Sequence, residues 1–210
     1  KVSILMALSN PAGAENPAQE AIMIAPNLLR GEKVRLTAVN SYDLTVITRW
    51  WHDPDFLRLY NTAPAAPRNE DQLSRRFDLS QTSQDVFLFA IRLLEEDELI
   101  GLLEFDGIDW AHRTTFLSIG IGQAALRSLG YGHEAMQLAL NFAFYELNLH
   151  RVCLTVFSYN DKAIALYERL GFVREGVYRE HIERDGRRYD MILYGILRRE
   201  WTENNPPRPS

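Results

Sequence analysis

The sequence predicts an α+β fold: a mixed, mostly antiparallel sheet with one parallel strand pair and helices on its faces. Two observations carry that prediction. Residues 114–157 run strand, glycine turn, amphipathic helix, strand, and such a run closes as a right-handed crossover between parallel strands. Glu95-Glu96-Asp97 and Arg184-Asp185-Gly186 are charged turns between strand-like runs, the signature of antiparallel hairpins.

The elements follow in order. Residues 1–27 are rich in Ala, Pro and Asn without a sustained period and read as a tail, disordered or expression-derived. The apolar stretch 2–8 after Lys1 matches a signal peptide only faintly, and Met23 is a candidate start. One domain spans 28–201. Residues 34–37 read as a strand, and 43–52 as a helix capped by Asn40 or Ser41. The loop Pro64–Pro67 introduces a polar helix at 69–80. Strands at 86–93 and 98–105 flank the first charged turn. After the strand at 114–122, a helix at 131–147 places Ala135, Leu138, Ala139, Phe142 and Ala143 on one stripe. Residues 150–157 alternate Val152, Leu154 and Val156 as a half-buried strand. A short helix at 163–170 stops at Gly171. Strands at 172–181 and 189–197 flank the second turn, and 202–210 is a Pro-rich tail.

Composition narrows the function classes. Hydrophobic residues make up 46% and charged residues 24%, the balance of an ordinary globular domain. With 28 acidic against 23 basic side chains the net charge is -5, which argues against nucleic acid as a partner and is compatible with an amine. No apolar run approaches the roughly 20 residues of a membrane helix. The single cysteine, Cys153, excludes an intramolecular disulfide, fits a reducing, cytoplasmic compartment, and reads as a core residue.

Chemistry concentrates at Arg127-Ser-Leu-Gly-Tyr-Gly132, between the 114–122 strand and the following helix. A turn that bares backbone N–H groups at a helix N-terminus seats an anion such as a pyrophosphate. A dinucleotide-binding reading fails, because the first glycine of Gly-x-Gly-x-x-Gly is absent and no acidic residue is suitably placed. A P-loop reading fails for want of Gly-Lys-Ser/Thr.

Two further stretches sharpen the reading. Asn160 follows the next strand, and Leu166-Tyr167-Glu168-Arg169-Leu170-Gly171-Phe172 follows Asn160. With Arg127, Gly130 and Gly132 fitting Arg/Gln-x-x-Gly-x-Gly/Ala, the chain resembles the GNAT superfamily of acetyl-CoA-dependent N-acetyltransferases over about residues 28–201. Gly130-Tyr-Gly-His-Glu-Ala135, Leu147-Asn-Leu-His-Arg-Val152 and Gly171-Phe-Val-Arg-Glu-Gly176 are similar to the branch that acetylates ribosomal-protein N-termini, and spermidine acetyltransferases share much of the pattern.

The resemblance implies a GNAT-like sheet whose parallel strands splay apart at their C-terminal ends. The pantetheine arm of acetyl-CoA, the co-substrate, would pair with the freed backbone of Ile119, Gly120 and Ile121. The N–H groups of Leu129, Gly130, Tyr131, Gly132 and His133 would hold the diphosphate, with added charge from Arg127. Asn160 would bond the pantetheine arm and can also cap the next helix. Tyr167 would be the general acid that protonates the leaving thiolate. No metal is implied, and the resemblance leaves room for a homodimer.

One departure stands out. Many relatives carry a glutamate on the strand before the phosphate loop, where this chain has Phe116-Leu117-Ser118. Glu104 is the nearest substitute base, with Asp106 beside it and His181 and Asp190 behind them. The missing glutamate tilts the acceptor toward an α-amine, which titrates near 7.7–8.0 rather than near 10.4. Trp50 and Trp51, with His52, are the candidate acceptor wall, and residues 60–67 a lip over it. The expected activity is acetyl transfer to a protein N-terminal α-amine or a small amine. The alternatives are polyamine or aminoglycoside acetylation, or a non-catalytic CoA-binding sensor.

Overall fold

The computed structural model describes residues 27–205. Residues 1–26 and 206–210, which hold most of the expected tails, lie outside them. Within the described residues seven strands form one sheet in the order β1-β2-β3-β4-β5-β7-β6. They are β1 Val34–Ala38, β2 Phe87–Leu93, β3 Leu99–Asp109, β4 Thr114–Ile121, β5 Arg151–Phe157, β6 Val173–Arg184 and β7 Arg187–Leu197. β4 and β5 are parallel and the other neighbours antiparallel, which is the expected mixed sheet.

Strand alternation gives the sheet two apolar faces. Phe89, Ile91, Leu103 and Phe105 join one cluster with Met136, Ala139, Leu140 and Phe144 from α4 (Tyr131–Asn141) and the turn that follows it. Ala90 and Leu102 point the other way. They pack with Ile47, Trp50 and Trp51 of α1 (Leu44–Trp51), Phe56 and Leu57 of α2 (Pro54–Tyr60), and Leu73 and Phe77 of α3 (Glu70–Thr82). Helix α5 (Asp161–Arg169) and Leu170 and Phe172 after it close the first cluster beside β7.

Three elements depart from the sequence reading. Helix α2 falls in a stretch to which the sequence reading assigns no element, although Asp53-Pro54 is a helix start: the Asp53 carboxylate accepts from Asp55 N at 2.9 Å, and Pro54 has no N–H to satisfy. Helix α4 is α-helical only to Asn141 and then widens into a π-helical turn over Phe142–Glu146, closed by Leu147 N donating to Phe142 O. The wider turn lets three consecutive residues, Phe142, Ala143 and Phe144, all be buried. Helix α6 (Arg198–Asn204) occupies the start of the expected C-terminal tail. Its Trp201 is buried and donates from Nε1 to Asn141 Oδ1 at 3.0 Å.

A buried ion pair fixes the α1 side of the sheet. Arg92 Nη2 of β2 donates to both carboxylate oxygens of Asp43 at 2.7 and 2.6 Å, its Nε donates to Thr37 Oγ1, and its Nη1 to Asp97 O. With these partners the charges are satisfied, the condition for burying them. Among the described residues no helix is long and apolar enough to cross a membrane.

Candidate active site

The parallel ladder is short. β4 and β5 pair at Thr114↔Arg151, Thr115↔Val152 and Phe116↔Cys153, and no further among the described residues. β4 stays on β3 as far as Gly101↔Ile121, and β5 stays on β7 as far as Phe157↔Met191. Each strand is therefore held on its outer side while the inner ladder stops. From Leu117 onward the β5-facing edge of β4 carries backbone donors and acceptors without a strand partner. A cleft of about 940 Å³ opens in the gap, within the usual range for ligand sites.

Pleating sorts the β4 edge. Leu117, Ile119 and Ile121 pack toward α4, whereas Ser118 and Gly120 face α2. Ile119, Gly120 and Ile121 all line the cleft. Beyond β4 the chain turns through Ser128 at φ 66° and Gly130 at φ 92°, the N-cap of α4. That left-handed conformation is open to glycine without cost. Gly130, Gly132 and His133 line the cleft, but the Leu129 side chain is exposed and the Tyr131 ring packs against the core. Arg127 also lines the cleft, with its guanidinium already engaged: Nε donates to Ile121 O at 3.0 Å and Nη2 to Gly122 O at 3.1 Å. It ties the loop to the end of β4. Lys162 and Arg169 of α5, not singled out from sequence, add cations to the lining.

The opposite wall begins at Asn160. Its Oδ1 accepts from Ala163 N at 3.3 Å, capping α5, and the residue also lines the cleft. Two turns along α5, Tyr167 faces the cleft while its ring packs against Phe172 at 5.9 Å and Tyr194 at 6.5 Å. Burial disfavours the phenolate, so the Tyr167 pKa is pushed up to about 12 and the phenol stays a proton donor.

The other end of the cleft differs from the sequence reading. Trp50 and Trp51 are 5% and 2% exposed and belong to the core under α1, not to the lining. Their aromatic neighbours one helix later do line it: Phe56 and Tyr60 of α2, stacked at 5.1 Å, face Phe116, Phe157 and Tyr159. The cause is packing: Trp51 is covered by Phe56 and Tyr60 of the unforeseen helix α2, and Trp50 lies against Phe56 and against Gly122 at the end of β4. Tyr60 and Phe56 were legible only as apolar residues after Asp53-Pro54, whose helix-start signal was the available clue.

Glu104 sits behind this wall rather than in it. It pairs with Ser118 across the β3–β4 ladder and bonds Arg76 of α3 at 3.2 Å. Burial raises its pKa above the ordinary glutamate range, the Asp106 charge adds to that, and Arg76 opposes it. Tyr60 lies over the same spot, on the face of β4 that carries Ser118 and Gly120. Its pKa is pushed up to about 12 by burial and by the Glu104 charge. Asp106 lines the cleft directly. Asp190 instead accepts from Glu180 N at 2.8 Å, holding the bulged β6, and His181 is exposed; neither lines the cleft.

The far rim is held by a clasp. Arg184, near the tip of the β6–β7 hairpin, donates to the carbonyls of Asn61, Thr62 and Ala63 at 3.1–3.4 Å. Asp185 bonds Arg58 at 2.6 Å, and Tyr159 Oη donates to Arg58 O at 2.6 Å. The segment after α2, expected as a lip, is thus fastened to the last hairpin.

Comparison with known proteins finds the same architecture. The model of the acetyltransferase (GNAT) domain matches residues 33–173. The chain is 28% identical over 176 residues to the uncharacterized N-acetyltransferase p20 of Bacillus licheniformis, covering 81% of this chain and 96% of p20. It is 26% identical over 117 residues to the ribosomal protein uS5 alanine N-acetyltransferase of Escherichia coli, covering 55% of this chain and 60% of that one. The crystal structure of spermidine N-acetyltransferase from Vibrio cholerae in complex with CoA and spermine aligns with a TM-score of 0.74 at 27% identity. That alignment covers 80% of this chain and 97% of the other.

Proposed function

Because the chain belongs to the GNAT family of acetyltransferases, we propose that it transfers the acetyl group of acetyl-CoA directly to the α-amine of a protein N-terminus or to a small, weakly basic amine. The observation that carries this reading is the composition of the acceptor end. Five aromatic residues (Phe56, Tyr60, Phe116, Phe157, Tyr159) line the cleft together with one carboxylate, Asp106, which pairs with Phe116 across the β3–β4 ladder. The other lining carboxylate, Asp161, is at the start of α5 beside Lys162. A polyamine carries several cations along its length and calls for several carboxylates. One carboxylate among rings suits one ammonium on an apolar or peptide body.

The chemistry assigned to each residue follows from its surroundings. The open edge of Ile119, Gly120 and Ile121 fits an arm with amide groups, and Gly130 and Gly132 allow close approach of phosphate oxygens. Attack of the amine nitrogen on the thioester carbonyl forms the C–N bond and breaks the C–S bond. The amine proton must leave, and the sulfur must be stabilised as it departs. Glu104 would take the proton through Ser118, its partner across the β3–β4 ladder. Its raised pKa brings it nearer the operating pH, as a general base requires. Tyr167 would donate its hydroxyl hydrogen bond to the departing sulfur. A phenol near 12 holds its proton more tightly than a thiol near 8.5, so stabilisation by hydrogen bonding, with the proton supplied finally from solvent, fits better than outright transfer. A reducing cytoplasmic setting suits a free Cys153.

The rival acceptor class is polyamines, favoured by the likeness to the spermine-bound Vibrio cholerae enzyme. One experiment separates the readings: incubation with acetyl-CoA and a panel of peptides, monoamines, polyamines and aminoglycosides, reading acetyl mass gain and free thiol. Preferred acetylation of peptide N-termini or monoamines supports the proposal. Preferred acetylation of spermidine replaces it with the rival, and CoA binding without thiol release from any acceptor replaces it with a sensor.

A further inference from the structure

Helix α4 carries a carboxylate, Glu134, in its first turn, four residues after the N-cap Gly130. A negative charge there repels an anion seated at the same helix end. The fold absorbs it: Glu134 Oε1 accepts from Glu32 N, and Oε2 accepts from Lys33 N at 2.9 Å and Val34 N at 3.0 Å. Three successive backbone donors at the entry to β1 thus wrap one carboxylate. The approach is close enough that a Cβ on Gly31 would fall 2.4 Å from Glu134 Oε1. The same contact carries Lys33 over the phosphate loop, where its Nζ lies 3.6 Å from the position a Cβ on Gly130 would take. Meanwhile the loop's own cation, Arg127, is occupied by two backbone carbonyls.

We propose that Lys33 is a binding residue for the diphosphate of acyl-CoA, and that Glu134 is a positioning residue that lashes the β1 entry to α4 so that Lys33 reaches it. The assignment rests on the family reading of residues 127–132 as the diphosphate seat. A nearby ammonium adds charge complementarity from outside the glycine motif, and an exposed contact of this kind contributes modestly and is screened by salt.

The test is calorimetric titration of CoA into the full chain and its variants over a range of salt concentrations. Lys33→Ala, at an exposed side chain, should weaken CoA roughly three- to tenfold at low salt and flatten the salt dependence. Lys33→Arg should restore most of the affinity. Glu134→Ala should weaken CoA by a similar factor alone and add nothing in the Lys33→Ala background. An unchanged CoA affinity or salt slope in Lys33→Ala overturns the role of Lys33. A Glu134→Ala effect that persists undiminished in the Lys33→Ala background overturns the positioning role of Glu134. Wild-type protein that binds no CoA at all would instead overturn the family reading beneath both.

Discussion

The ring of Tyr60 occupies the space that a side chain on Gly120 would need: a Cβ there would stand 2.6 Å from Tyr60 Cδ2. Helix α2 therefore rests directly on one face of β4 beside its open edge, and the residue that lets it do so is one of those that line the cleft. The ring has little room to retreat, since it stacks on Phe56 and meets Trp51 edge-on at 5.5 Å. Gly120→Ala should destabilise the fold by about 1–3 kcal/mol, the usual cost of overpacking, and lower kcat by moving Tyr60 off Ser118. Urea unfolding and steady-state kinetics check both, and a variant unchanged in each would contradict the contact.

Tyr167→Phe removes only a hydroxyl from a ring held by Phe172 and Tyr194. The packing should survive, so the melting temperature and the KM for acetyl-CoA should stay close to wild type. The kcat should fall on the order of 100-fold, the lower range for loss of one hydrogen-bond donor to developing charge. Thiol release measured under saturating acetyl-CoA decides it, and a kcat within twofold of wild type would remove Tyr167 from the mechanism.

Glu104 gives a signed pH dependence. Its folded pKa is raised, mainly by burial, so between the ordinary glutamate value and the raised one the native state binds more protons than the unfolded state. Stability contributed by the neutral carboxyl is full below that window and is lost as pH rises through it. Glu104→Gln removes the loss, so the variant's stability relative to wild type should grow with pH across the window. Equilibrium unfolding at a series of pH values reads this. The same variant should lose on the order of 100-fold in kcat/KM with CoA affinity intact, and its rate profile should lose the acidic limb. Full activity with an unaltered profile would leave proton removal to water, as an α-amine acceptor permits.

Asp43→Ala leaves the Arg92 guanidinium buried with two of its four hydrogen bonds gone. The expected cost is about 3–5 kcal/mol, far more than for an exposed pair such as Arg188–Glu183. Chemical denaturation of Asp43→Ala and Glu183→Ala, side by side, tests the contrast; equal effects would mean that burial does not govern these pairs.

The strand–turn–helix–strand unit was legible because its signals are local. Alternating Val152, Leu154 and Val156, the glycines at 130 and 132, and the stripe on α4 each appear within a few residues. Gly130, Gly132, Asn160 and Tyr167 could be named because they stand in short motifs that resemble those of the acetyltransferase family, and all four line the cleft. The acceptor end was harder to read. Trp50 and Trp51 look like a binding wall in the sequence, but the helix begun by Asp53-Pro54 covers them and puts Phe56 and Tyr60 at the cleft instead.

By itself, then, the amino-acid order determined which segments become strands and helices around the loop, and where a glycine turn opens the central helix, since periodicity and turn chemistry act over neighbouring residues. Only the tertiary structure decided that Glu104 stands behind Ser118, that Arg127 is spent on backbone carbonyls, and that Lys33 arrives over Gly130 from about a hundred residues away. Those relations depend on the register between strands and on which helix covers which face. Contacts between residues distant in the chain set both, and no local pattern encodes them.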